Sequence, residues 1–199
     1  MNDLDRIAEI MTQCPVNQTQ LDKPKHIYAW ITKLNAQVSV EIGVFGGTSF
    51  IAAAVAMEKT GGIAYGIDPW MNAEAMQEGY PAVNATIPGM PFPVYYQKLN
   101  RVLKNNKLFN TRLIRAKSQE TSELFDDGEI DFIHIDGNHG AAAVLQDAEL
   151  YVPKVRKGGI IWFDDVLWDS VTPAVRHAMK SCKHVCRPSS NDVMLEKTC

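Results

Sequence analysis

Residues 38–50 read VSVEIGVFGGTSF, and this stretch decides the fold. Alternating apolar residues at its start predict a buried strand, and small residues predict a helix over 50–57. The turn between them is rich in glycine, which has no Cβ, so the backbone can bend sharply and a ligand can lie against it. A turn whose glycines are purely structural is the alternative. The glycines are Gly43, Gly46 and Gly47.

The residues around this turn indicate which ligand suits it. The turn lacks the Gly-Lys-Ser/Thr ending of a phosphate-binding P-loop, and Phe45 stands where a dinucleotide-binding fold has glycine. Glu41 lies two positions before the first glycine, at the end of the strand. Because a carboxylate only accepts hydrogen bonds, it suits a ligand with a cationic or hydroxylated group better than one with phosphates. The stretch therefore predicts a nucleotide-type site.

Length and charge exclude several classes of protein. At 199 residues the chain fits one domain, over 1–199, with a core large enough to fold alone. The net charge is −3 and the basic residues are scattered, which argues against a nucleic-acid or anionic-membrane partner. No apolar stretch is long enough to span a membrane and the start is acidic, so we expect a cytoplasmic protein. Small molecules and proteins remain as partners, and a homo-oligomer stays open.

The cysteines lie apart from the motifs. Three of the four fall in the last eighteen residues, and we expect reduced thiols. Cys182 and Cys186 lie in a predicted helix without a second pair of ligands, which is a weak pattern for zinc.

Short apolar strands alternate with helices along the chain. This pattern predicts an α/β fold with a doubly wound, mostly parallel sheet and helices on both faces. Two amphipathic patterns in residues 1–37 predict an N-terminal helical cap. Residues 69–93 are rich in Pro, Gly, Met and Tyr, which is typical of an insertion loop or lid. The last helix is predicted over 172–186 and the last strand over 193–196.

Acidic residues fall where predicted strands end. Ligands of such sheets bind beyond the carboxyl ends of the strands. Carboxylates gathered on one edge repel one another unless a cation or hydrogen-bond donors lie among them. The sequence therefore predicts a ligand or cation site on this edge. The acids are Glu41, Asp68, Asp136, Asp164 and Asp165.

Over about residues 38–195, the order of these motifs resembles class I S-adenosylmethionine-dependent methyltransferases. The resemblance implies a Rossmann-like sheet of seven strands with an antiparallel last strand, and S-adenosylmethionine as cofactor. It implies that the glycine turn holds the methionine moiety and that Asp68 binds both ribose hydroxyls. Residues 116–119 resemble the adenine-contacting Ala-x-Ser-Gln segment of catechol-type O-methyltransferases. The implied cofactor-binding residues are Glu41, Gly43, Gly46, Gly47, Asp68, Trp70, Ser118, Gln119 and Asp136.

Some of these residues have simpler interpretations. Ser118 and Gln119 also suit a helix cap and a surface position. We place Trp70 beside the adenosine because it follows a strand end, although most aromatic residues belong to the core. His134, in mid-strand, is expected to pack in the core. Asp147, on a predicted helix, is expected on a solvated face.

Two further segments, Ile135–His139 and Gly158–Asp165, sharpen the resemblance. They are similar to the paired signature of metal-dependent O-methyltransferases that modify the sugars of macrolide and aminocoumarin antibiotics. This similarity implies Mg²⁺ bound by Asp136, Asp164 and Asp165. Oxygen ligands from two strand ends leave octahedral positions for water and for the two oxygens of a vicinal diol.

The same resemblance implies a catalytic pair, with His139 as general base beside Asp136. A structural, hydrogen-bonded role for His139 is the alternative. The sequence thus predicts a Mg²⁺-assisted, S-adenosylmethionine-dependent O-methyltransferase acting on a small hydroxylated acceptor, such as a sugar or a catechol-like diol. The rivals are an NAD-dependent oxidoreductase, which Phe45 disfavours, and a non-catalytic binding module.

Overall fold

The strand β1 (Val38–Ile42) lies in the middle of the sheet. In the computed structural model, which describes residues 2–16, 22–77 and 81–199, β1 pairs in parallel with β2 (Ile63–Ile67). Its other parallel neighbour is the later strand Ile130–Ile135. That strand is buried along its whole length, which explains its almost continuous run of apolar residues.

The remaining strands are β3 (Thr111–Ile114), β4 (Ile130–Ile135), β5 (Val155–Phe163), β6 (Cys182–Cys186) and β7 (Val193–Lys197). The described residues form one sheet of seven strands, in the order β3-β2-β1-β4-β5-β7-β6. The last strand runs antiparallel to both of its neighbours, β5 and β6. The predicted fold, an α/β Rossmann-like sheet of seven mostly parallel strands with an antiparallel last strand, is confirmed.

Helices cover both faces of this sheet and create two cores. They are α1 (Asp3–Met11), α2 (Asp22–Leu34), α3 (Thr48–Thr60), α4 (Pro81–Asn84), α5 (Phe92–Asn105), α6 (Ala141–Tyr151) and α7 (Thr172–Ala178). The side chains of α3 are buried over residues 50–57 because α1 and α2 pack on this helix from outside the sheet. None of the helices in the described chain is long and apolar enough to cross a bilayer.

The last predicted helix is wrong in its second half. It ends at Ala178, and the chain then forms β6, which pairs with β7. Lys183 and His184 of β6 are both exposed, so this edge strand shows no alternation that a sequence pattern could reveal. Pairing with β7 therefore makes residues 182–186 a strand, against the helix that their local sequence predicts. Cys182 and Cys186 therefore lie along a strand and not on a helix.

The segment over residues 69–93 folds back on itself. The side-chain amide of Asn72 donates to the carbonyl oxygens of Ile87 and Met90, at 2.7 and 2.8 Å. These bonds hold the two ends of the predicted lid together. Part of the lid, residues 78–80, lies outside the described residues.

Gly43 lies where the chain after β1 meets the chain after β4. Its φ is +85°, and a Cβ built there would lie 2.0 Å from the carbonyl oxygen of Asp136. The backbone N–H of Asp136 donates to the carbonyl oxygen of Ile42 at 2.9 Å, so the two segments cannot separate freely. By contrast, Gly61 at the end of α3 has a similar φ of +78° and nothing within 4 Å of a built Cβ.

We predict that Gly43→Ala destabilises the protein far more than Gly61→Ala. Gly61→Ala should cost about 1–2 kcal/mol, the strain of an L-residue in a left-handed conformation. Gly43→Ala adds overlap with the backbone and should cost at least about 3 kcal/mol, or prevent folding. Urea unfolding followed by circular dichroism measures both variants, and equal costs would contradict the prediction.

Candidate active site at the carboxyl edge of the sheet

A cavity of about 650 Å³ opens over the carboxyl ends of the strands. Residues that follow β1, β2, β3, β4 and β5 all line it, as the strand-end rule predicts. The lid contributes the opposite wall, through Met71, Gln77, Ile87 and Met90. The sequence-predicted residues on the lining are Gly43, Asp68, Ser118, Gln119, Asp136, His139, Asp164 and Asp165.

The glycine turn contributes less open surface than expected. Among the described residues of the turn, Gly43 and Phe45 line the cavity, whereas Gly46 and Gly47 do not. A Cβ at Gly46 would meet the Val16 side chain at 2.8 Å, and one at Gly47 would meet the Leu99 side chain at 2.5 Å. At these two positions glycine makes room for protein packing, as in the structural alternative.

Glu41 points away from the cavity. Its carboxylate accepts a hydrogen bond from the Ser49 hydroxyl in the first turn of α3 and lies 3.6 Å from His134 Nδ1. Only 3% of Glu41 is exposed. Direct contact between Glu41 and a cofactor in the cavity is therefore wrong in this structure, because the side chain leaves β1 on the face that α3 covers. Its role is to hold the start of α3 beneath the glycine turn.

Asp68 ties the glycine turn to the end of β2. One carboxylate oxygen accepts the backbone N–H of Phe45 at 2.8 Å, and the other accepts that of Trp70 at 2.6 Å. Burial raises the pKa of this carboxyl, although the two backbone bonds act in the opposite direction. Each oxygen keeps a second lone pair, so Asp68 can still accept O–H groups from a ligand in the cavity.

Trp70 belongs to the core and not to the cavity. Its side chain is fully buried, its indole N–H donates to the carbonyl oxygen of Phe45 at 2.9 Å, and its ring packs on Tyr96. The backbone at Trp70 has a φ of +45°, and the indole lies in the core beneath the lid. The expectation that Trp70 packs beside the adenosine is therefore wrong in this structure.

Ser118 and Asp147 form a buried polar corner of the cavity. The Ser118 hydroxyl donates to the Asp147 carboxylate. Asp147 is 3% exposed, so its expected place on a solvated face is wrong. Burial raises the pKa of Asp147 to about 6, although the bond from Ser118 lowers it. Beside them, the Gln119 side chain donates to Gln146 at 3.1 Å.

The third predicted metal ligand, Asp164, lies with Asp136 beside His134, whereas Asp136 and Asp165 meet at His139. The Nε2 atom of His139 lies 3.7 Å from Asp136 Oδ1 and 3.4 Å from Asp165 Oδ2. This nitrogen is buried and has no hydrogen-bond partner among the described residues. Burial lowers the pKa of His139, while the Asp165 carboxylate acts to raise it. Asp165 itself has a φ of +53°, an uncommon conformation for a residue other than glycine and one that often marks functional sites.

His134 joins the same cluster, although the sequence suggested only packing. Its Nε2 atom lies 3.7 Å from Asp164 Oδ2 and 3.9 Å from Asp136 Oδ2. Burial alone would lower its pKa, but the carboxylates of Asp164 and Glu41 raise it to about 10. The missed signal was the strand period of two residues, which places His134 two positions before Asp136 and, in register, beside Glu41.

The cluster around these histidines fits a divalent cation. One atom from each of Asp136, His139 and Asp165 lies within 4.8 Å of the others, and the same holds for His134, Asp136 and Asp164. Carboxylate oxygens are the ligands that Mg²⁺ prefers, and Asp136, Asp164 and Asp165 supply them. The fit rests on the chemistry of these donors.

The chain belongs to the methyltransferase domain family, whose family model matches residues 40–166. Among curated proteins it is similar to a flavonoid 3',5'-methyltransferase of Vitis vinifera, with 31% identity over 135 residues, or 68% of this chain. The chain spans about half of the length of this relative, 49%.

Solved structures show the same fold. The O-methyltransferase NovP superposes with a TM-score of 0.75 at 13% identity, with 98% of each chain covered. The O-methyltransferase TomG of Streptomyces achromogenes, solved in complex with S-adenosylmethionine, superposes with a TM-score of 0.66 at 13% identity, covering 100% of this chain and 91% of that one. At such identities the similarity establishes the architecture alone.

We predict that Asp147→Asn becomes more favourable relative to the wild type as the pH rises from 4 to 7. The folded chain holds the proton of Asp147 up to a pKa of about 6 whereas the ordinary value is 3.8, so the wild type loses stability across this interval. The difference in free energy of unfolding should change by up to about 3 kcal/mol. Urea unfolding at several pH values measures it.

A matched control is Glu149→Gln, which removes an exposed carboxylate from the same helix. Its stability should follow the wild-type pH curve. Parallel curves for Asp147→Asn and the wild type would contradict the buried, proton-holding state of Asp147.

Proposed function

We propose that this chain is an S-adenosylmethionine-dependent O-methyltransferase that acts, with the help of Mg²⁺, on a small hydroxylated acceptor such as a sugar or a catechol-like diol. The observation that carries the proposal is one cavity lined by two chemically distinct groups of residues. We assign Asp68, Ser118 and Asp147 to a cofactor end and the acids around His139 to an acceptor end; all of them line the cavity. Family membership and the shared fold support the same assignment.

The cofactor end suits an adenosine. Asp68 offers acceptors for the two ribose hydroxyls, and the corner of Ser118 and Gln119 offers polar groups for an adenine edge. Gly43 lies against the backbone of Asp136 and Gly137 on the lining of the cavity, and we place the methionine part beside this contact. In this proposal Glu41, Gly46 and Gly47 act by shaping the turn, and Trp70 supports it from the core. Phe45, on the lining, disfavours the pyrophosphate of NAD.

The acceptor end suits removal of a proton from a hydroxyl group. His139 has a lowered pKa and a nitrogen without a hydrogen-bond partner, so the neutral imidazole can accept that proton. The hydroxyl oxygen takes the methyl group from the sulfonium as the S–CH₃ bond breaks, and S-adenosylhomocysteine leaves. Asp136 and Asp165 flank the imidazole and stabilise its protonated form.

A divalent cation bound by Asp136, Asp164 and Asp165 would supply positive charge that lowers the pKa of the acceptor hydroxyl. Two adjacent hydroxyl oxygens match the open positions of such an ion, which is the reason for proposing a vicinal diol. The protein itself contributes alignment, by holding the two ends of the cavity at a constant separation.

Cofactor binding is the first test. In calorimetry, S-adenosylhomocysteine should bind and NAD should not. Asp68→Asn should raise the dissociation constant at least about tenfold, a loss of about 1.4 kcal/mol, because an amide offers one acceptor oxygen where the carboxylate offers two. The control is Asp127→Asn, at a carboxylate whose side chain is 74% exposed. NAD binding without S-adenosylhomocysteine binding would favour the oxidoreductase alternative.

Methyl transfer is the second test. With labelled S-adenosylmethionine, Mg²⁺ and a panel of catechols and glycosides, we expect product from vicinal diols and none from the same compounds with both hydroxyls blocked. His139→Ala should lower kcat by about 10²–10⁴ while leaving the affinity for S-adenosylhomocysteine unchanged.

His184→Ala is the control for that measurement, because His184 is exposed on β6. An unchanged kcat in His139→Ala would remove His139 from the reaction. Cofactor binding without transfer to any member of the panel would favour the non-catalytic alternative.

A further inference from the structure

The acid cluster already holds a cation that belongs to the protein. Lys23, the second residue of α2, forms an ion pair with Asp164, and its Nζ atom lies 3.7 Å from Asp136 Oδ2. Its neighbours along the helix, Pro24 and Ile27, are buried, so the lysine is held in place by the packing of α2. The ammonium group thus lies between carboxylates from two different strands.

Charge explains why a cation is needed there. Asp136 and Asp164 lie beside Lys23, Asp165 Oδ2 lies 3.4 Å from His139 Nε2, and Glu41 Oε1 lies 3.6 Å from His134 Nδ1. Buried carboxylates without a counter-charge are costly. Lys23 therefore supplies positive charge where the cluster would otherwise repel itself.

A second, independent observation points to a further ligand in the same place. The Nε2 atom of His139, whose side chain is 9% exposed, aims at Asp136 and Asp165 and has no hydrogen-bond partner among the described residues. Lys23 interacts with Asp164 and Asp136 but leaves this nitrogen without a partner. The lysine thus neutralises part of the cluster and leaves the His139 side of it unpartnered.

We propose that Lys23 is a tethered counter-cation that competes with a divalent metal ion for Asp136 and Asp164. Binding of the ion displaces the ammonium group, because two cations cannot share the same carboxylate oxygens at contact distance. Lys23 therefore sets the metal affinity of the cluster and links metal binding to the position of the first turn of α2. This inference rests on the metal site of the proposed function and not on methyl transfer.

Lys23 also lines the cavity, so its displacement changes the acceptor end. With the ion absent, the lysine keeps the cluster folded; with the ion bound, the ammonium group leaves the space beside Asp136. In this scheme Lys23 is a positioning residue that acts through the carboxylates.

The test is a titration with Mn²⁺ alone, followed by electron paramagnetic resonance, on the wild type, Lys23→Met and Lys25→Met. Lys25 is exposed on the same helix and serves as the matched control. We expect Lys23→Met to bind Mn²⁺ at least about tenfold more tightly, and Lys25→Met to bind like the wild type. Without the ion, Lys23→Met should melt at a lower temperature, and Mn²⁺ should raise its melting temperature more than that of the wild type.

Equal or weaker Mn²⁺ affinity in Lys23→Met would overturn the inference, and so would a failure of both proteins to bind Mn²⁺. Should Lys23→Met not fold, hydrogen exchange of the wild type decides: Mn²⁺ must accelerate exchange over residues 26–30, the first amides of α2 that have acceptors within the helix, and unchanged exchange overturns the inference. Calorimetry with S-adenosylhomocysteine on the same samples reports separately on the cofactor site, so failure of the methyltransferase proposal is distinguishable.

Discussion

The contact between the chain after β1 and the chain after β4 holds the site together. A backbone hydrogen bond from Asp136 to Ile42 and the missing side chain of Gly43 let these two segments touch. The same contact places Gly43 beside Asp136 on the lining of the cavity. A side chain at position 43 would overlap the backbone of Asp136, so this one glycine controls how closely the two segments approach.

The acidic edge shows how a sheet can collect charge without losing stability. Each carboxylate has a partner of a different kind: Glu41 has the Ser49 hydroxyl, Asp68 has two backbone N–H groups, and Asp164 has Lys23. Together with His134, whose pKa is raised to about 10, these partners compensate most of the negative charge. The two ring nitrogens of His134 and the Nε2 atom of His139 remain buried without a hydrogen-bond partner among the described residues.

Much of this site could be predicted from the sequence, because most of its residues follow the ends of strands. Asp136, Asp164 and Asp165 were predicted to converge because parallel strands end on one edge; in the structure Asp136 lies with Asp165 beside His139 and with Asp164 beside His134, in two overlapping groups. Trp70 and Glu41 could not be placed, since the backbone turn and the covered face decide where their side chains go. Lys23 lies 141 residues before its partner Asp164, and no local sequence pattern predicts a contact over such a separation. Strand β6 could not be predicted from its own sequence, because only its pairing with β7 makes it a strand.

The segment over residues 69–93 is bonded both to itself and to the acidic edge of the sheet. Its two ends are fastened to each other by the amide of Asn72, while the rings of Phe92 and Tyr95 at the start of α5 pack on Phe45. The segment is also bonded to the acidic edge of the sheet, because the Gln77 side-chain oxygen accepts the backbone N–H of His139 at 2.6 Å and the Asn138 side-chain amide donates to the carbonyl oxygens of Glu74 and Met76, at 3.1 and 2.7 Å. A substitution that moves this segment would therefore also move the backbone of His139, so the wall of the cavity and its acidic edge are mechanically coupled.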